Sequence, residues 1–139
     1  MEEIIIEKQK IVDKLHKLSA HIGMKVAAPE MLASTADDEA KIDIMFSAAS
    51  VELLNVLQPY ATVQQSEGRV VYSLDMPVNW KRAQLPVLQS FCNDFLLHSL
   101  LARWFDFLKN DSAGLYRALN KENAVAIIHL LQLREKPFR

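Results

Sequence analysis

Cys92, Asp94 and His98 are the nearest approach in this chain to a reactive cluster. A thiolate, a carboxylate and an imidazole together could hold a metal ion or pair a nucleophile with its base. Spacing argues against both. On a helix Asp94 and His98 are i and i+4 and share a face, whereas Cys92 lies about 240° around the axis from His98 and points elsewhere. No third ligand accompanies the pair, so a buried structural cysteine and a boundary histidine bonded to its neighbour are expected. Asp13 and His16 also share a face, but the Glu-x-x-His pairs of carboxylate-bridged metal centres do not occur in the chain. His21 and His129 stand alone.

Other routes to catalysis are equally bare. Gly23, Gly68 and Gly114 are dispersed, so no loop can cradle a phosphate in the dinucleotide or the nucleotide-triphosphate manner. No serine sits in a nucleophile elbow, and the one cysteine lies in an apolar segment that would raise its pKa. The reading is that the protein is not an enzyme, with no catalytic, cofactor-binding or metal-ligating residue and no small-molecule substrate. Trp80-Lys81-Arg82 sets a flat ring beside two cations and could touch nucleic acid or an acidic partner. Its plainer role is a tryptophan covering the end of a bundle. Arg134, Lys136 and Arg139 form a basic tip, suited to a partner or to the negative end of a helix dipole.

The element that dominates the chain is Pro86 to Leu108. As a helix it would be a rod of roughly 36 Å through Lys109, with Ser99, Arg103, Asp106 and Asn110 as its one continuous polar stripe. Phe91, Phe95, Leu96, Leu97, Leu100, Leu101, Trp104, Phe105 and Leu108 cover the other sides, so companions must enclose it, from this chain or from neighbouring copies. Arg103 and Asp106 are expected to pair along the stripe.

The remaining elements follow from periodicity. Ile4, Ile11 and Leu18, with Leu15 and Ile22, predict a helix over Glu2 to Ile22 ending near Gly23, although Ile4-Ile5-Ile6 would also suit a strand. Thr35 and Asp38 approximate a capping box at the start of a second helix, which buries Ile42, Met45, Phe46, Ala49, Leu53, Val56 and Leu57 and stops before Pro59. From Ala61 to Met76 the period falls to two around Ser66-Glu67-Gly68, predicting a β-hairpin. Pro86 fits the first turn of the third helix, which could also start earlier and kink there, and a fourth runs from beyond Asn110 to about Arg134, either continuously or restarting at Asn120, with Ala124, Ile127, Ile128 and Leu131 on one face. The fold class is therefore mostly α, a four-helix bundle-like single domain over 1–139, with one hairpin at about 61–76 inserted between the second and third helices.

Composition agrees with one folded domain: 139 residues, 50% hydrophobic and 24% charged. Sixteen basic residues against 17 acidic ones leave a formal charge of −1, so the whole-molecule field draws in neither nucleic acid nor an anionic membrane. A lone cysteine and a start without a secretion signal lead to a cytoplasmic expectation. Asn93, Asp94, His98, Arg103 and Asp106 interrupt the longest apolar run, so no membrane span is expected.

The acid-capped helix ending in a proline, the hairpin, the segment LLARWFDFL and the closing LLQLREKPFR resemble the small helical neck or tail-completion proteins, loosely head–tail connectors, of tailed phages and prophages of gut Bacteroidales. The similarity runs from about Thr35 to Arg139. It implies a non-catalytic structural protein of a phage or prophage particle, self-associating, often as rings, between capsid portal and tail. Its partners would be itself and other virion proteins, and its location the host cytoplasm and then the virion. Tyr72, Trp80, Arg82, Trp104 and Arg139 are the expected partner contacts. The competing expectation is an intracellular helical adaptor that binds one protein partner through a groove beside the third helix.

Overall fold

A computed structural model of the chain describes residues 2–25, 34 and 38–135. The first element corrects the sequence reading, for residues 2–7 form a strand, β1 (Glu2–Glu7), rather than the opening turns of a helix. Ile4 and Ile6 are buried while Ile5 between them is 37% exposed, the period of two that a half-covered strand requires. Tertiary context decides this. Three consecutive β-branched residues fit a pleated surface well, and the hairpin offers them a free side to pair with.

Helix α1 (Lys8–Lys25) follows, burying Ile11, Val12 and Leu15 and continuing past Gly23. Helix α2 (Glu39–Leu57) starts after Asp38 and buries Ile42, Phe46, Ala49, Leu53 and Leu57. The Thr35 half of the expected capping box lies outside the described residues. Gln58 and Pro59 end the helix as the sequence indicates. Strands β2 (Ala61–Ser66) and β3 (Arg69–Leu74) pair antiparallel through the turn Glu67-Gly68, where Gly68 takes φ +74°, a left-handed conformation that costs glycine nothing. β1 lies antiparallel on the other side of β3, giving the order β1-β3-β2. The hairpin is thus two strands of a three-stranded sheet, not an isolated insertion.

A single 3₁₀ turn, Arg82–Gln84, leads into α3 (Leu85–Phe107), with Pro86 in its first turn. Helix α4 (Ser112–Gln132) runs without a break. The described residues therefore form a mostly α fold of four helices and one small sheet. Leu88, Cys92, Phe95, Leu96, Leu100, Leu101, Trp104 and Phe105 are all buried, and α3 packs most extensively on α4, then on α2, α1 and β1. The enclosing companions are this chain's own elements. Among the described residues no helix is long and apolar enough to cross a membrane.

Candidate functional site

Three of the five expected partner contacts are interior side chains of this chain's own fold. Tyr72 on β3 is fully buried and its hydroxyl donates to the Ser50 carbonyl of α2 at 2.8 Å. Burial pushes its pKa up to about 12, so the phenol remains neutral. Trp80 is fully buried, and its indole N–H donates to the Leu130 carbonyl at 2.9 Å. Around it the 77–84 loop is fastened to the end of α4, with Glu135 N–H donating to the Asn79 carbonyl at 2.7 Å. Trp104 is buried, its ring 6.0 Å from that of Phe107. The physical reason is common to all three. Large rings remove the most apolar surface, and in a chain this size they are needed for the core.

Arg82 alone is on the surface, where it donates to Glu2 at 2.7 Å and to the Val78 carbonyl at 2.8 Å, tying β1 to the loop. Arg139 lies outside the described residues. Arg134 of the basic tip donates to the Leu131 and Leu133 carbonyls at 2.7 and 3.0 Å, so it caps the end of α4 as a cation there should.

The polar stripe of α3 is what the fold brings together. Ser99, Arg103 and Asp106 form the floor of a groove of about 540 Å³ between α2 and α4. Glu52, Asn55 and Val56 supply one wall, and Arg117, Asn120, Lys121 and Ala124 the other. Arg103 is ion-paired with Glu52 across to α2, and Asp106 accepts from Arg117 of α4 at 3.3 Å. This replaces the expected Arg103–Asp106 pair. Each neighbouring helix offers an opposite charge, and a long guanidinium reaches across more easily than it folds back along its own surface.

Two polar atoms at this groove are buried without a hydrogen-bond partner, the Arg103 Nε–H and the Asn120 Oδ1. One donates and the other accepts, and leaving either unmet costs free energy. By helical spacing Ile128, 44% exposed, continues the α4 wall one turn beyond Ala124. The lining of the groove is therefore mixed, with Val56, Phe95, Ala102 and Ala124 set among the charged and amide side chains.

The chain matches no family model, no curated protein and no solved structure. The site must speak through its residues.

The cluster with which the sequence opened does not converge. Cys92 is fully buried, and burial pushes its thiol pKa up, away from reactivity. His98 bonds not to Asp94 but across to α4, where Asn123 Nδ2 donates to His98 Nδ1 at 2.8 Å. Burial lowers the His98 pKa, and the Asp94 charge opposes that in part. Asp13 accepts from Gln9 at 2.8 Å, while His16 Nδ1 meets the Ser34 hydroxyl at 2.7 Å, so these two serve different partners. Among the described residues no group of three or more His, Cys, Asp or Glu is placed to hold a metal ion.

Sequence reasoning found the floor of the groove but missed its walls. Glu52, Asn55, Arg117, Asn120 and Lys121 looked like ordinary solvated positions. The available signal was their spacing, since Arg117, Asn120, Lys121 and Ala124 share one helical face and so could meet a polar stripe opposite.

Proposed function

We propose that this chain is a non-catalytic assembly protein, and that the groove over the polar stripe of α3 receives a polypeptide segment of a partner. The observation that carries this reading is the groove itself, in which the polar stripe of α3 lies between two other helices and meets their half-exposed charged side chains. A peptide segment laid in the groove would offer backbone carbonyls and N–H groups to those side chains. Val56 and Ala124 in its lining would meet apolar side chains of the same segment. The sequence resemblance supports a setting at the head–tail junction or tail completion of a phage or prophage particle, where partners would be other virion proteins and the chain itself.

Light scattering across a concentration series tests this, with the protein alone and mixed with portal or tail proteins encoded beside it. In the mixtures, assemblies that contain both proteins are expected, weakened by Asn120→Ala. A one-chain mass in every mixture overturns the reading. A groove beside α3 equally favours the adaptor reading, with a single non-virion partner, and the neighbouring genes separate the two.

A further inference from the structure

The two edges of the sheet are finished differently. On β1, Ile5 N–H donates to Gln89 Oε1 and Gln89 Nε2 donates to the Ile5 carbonyl, both at 2.9 Å, so a side chain from α3 occupies the place of a further strand. Glu3 and Glu7 add charge along the same edge. β2, at the other end of the order β1-β3-β2, reads Ala-Thr-Val-Gln-Gln-Ser, with no charge and no proline.

Which β2 groups face outward follows from the register. Ile5 is opposite Val71, and because the Ile5 backbone bonds away from β3, Val71 must bond towards β2, where its partner is Gln64. Gln64, and by alternation Thr62 and Ser66, therefore bond inward, leaving Ala61, Val63 and Gln65 to face outward. Two contacts agree: Asp75 N–H donates to the inward Tyr60 carbonyl at 2.8 Å, and the outward Ala61 carbonyl accepts from the Gln58 side chain at 3.3 Å. Among the described residues nothing pairs with the outward groups of Val63 and Gln65.

We propose that β2 is the interface with a second copy of this chain, the two β2 strands pairing antiparallel across a two-fold axis at Val63 to give one six-stranded sheet. Val63 of each copy would exchange both backbone hydrogen bonds with its equivalent, and Gln65 would meet Ala61 of the other copy only once the Gln58 side chain that covers the Ala61 carbonyl swings aside. A second copy fits because the strand is uncharged, so no like charges meet when it pairs with its own equivalent, and the outward groups of Val63 and Gln65 are open. Val63 sits opposite Tyr72 on the core face of the sheet, packed against the core but only partly buried, and its equivalent would cover the remainder. The pairing gives the assembly reading one of its partners but uses no groove residue.

The test is a charge exchange at the axis. Val63→Lys and Val63→Glu, each checked for native circular dichroism, are expected to run singly as one chain, because like charges then face each other, and to run as two chains when mixed. Val63→Cys is expected to give a disulfide-linked pair under mild oxidation, since opposed residues in a bonded pair lie about 5.5 Å apart at Cα, within disulfide reach. Should either charged variant misfold, the Val63→Cys cross-link decides alone. A wild-type mass of one chain at all concentrations, even if a foreign strand peptide binds, overturns the proposal, as does a two-chain mass that neither charged variant alters. Asn120→Ala must leave this pairing intact, which separates its failure from that of the groove.

Discussion

The side-chain amide of Gln89 grips the backbone of Ile5 at two points, accepting from its N–H and donating to its carbonyl at 2.9 Å each. Helix α3 thereby holds the outer edge of β1. Gln89→Leu is expected to cost about 0.5–1.5 kcal/mol per bond lost, at the lower end because water can reach this edge. Amide hydrogen exchange at Ile5 should accelerate while that of Ile4 and Ile6 changes little, and an unaltered rate at Ile5 would refute the grip.

Trp80 couples the 77–84 loop to the end of α4 through burial and one hydrogen bond. Trp80→Ala is expected to destabilise the fold by about 3–5 kcal/mol, by loss of apolar burial plus a residual cavity. Tyr72→Phe keeps the ring and loses only the bond to the Ser50 carbonyl, so it should cost about 0.5–1.5 kcal/mol. Chemical denaturation of both variants checks the ranking, which reverses if Trp80 is merely a lid.

His98 predicts a pH dependence. Its folded pKa lies below the ordinary histidine value because burial disfavours the cation, so below about 6.5 the unfolded chain binds the extra proton first. Stability is therefore full above that pH and falls as pH drops through the folded pKa, where protonation of Nδ1 would also set two donors against each other at Asn123. Urea midpoints between pH 8 and 5 should decline in the wild type. His98→Gln should flatten the part of that decline due to this group, and an identical slope would exclude it.

The groove ion pairs bridge helices from half-exposed positions. A double-mutant cycle on Arg103→Ala and Glu52→Ala should give a coupling of only about 0.2–1 kcal/mol, since solvent screens such pairs. Partner binding, measured by calorimetry on the same variants, should fall further than stability does. Equal losses would reduce Arg103 to a structural strut.

Helix positions were legible where burial follows a single period. α2 buries Ile42, Phe46, Ala49 and Leu53 at the predicted steps, and α4 buries Ile127 and Leu131. β1 was obscured because Ile4 fits both a seven-residue helical repeat and a strand, and only pairing with β3 decides between them. The wrapped hydrophobicity of α3 correctly demanded cover, but sequence could not say whose, because intrachain and intersubunit packing use the same residues. Ser99, Arg103 and Asp106 announced the groove floor. Arg117 and Asn120 gave no comparable notice, as their neighbours across the groove are distant in the chain.

Because α3 is sheathed by pieces from both ends of the chain, synthesis of this protein leaves its oiliest segment bare for a long interval. A nascent polypeptide that has just produced Leu108 owns β1, α1, α2 and the hairpin, yet it lacks Ile127, Leu131 and the Glu135–Asn79 clasp. Only α4, made after α3, supplies those contacts, so the apolar face of α3 that it covers stays bare until it is made.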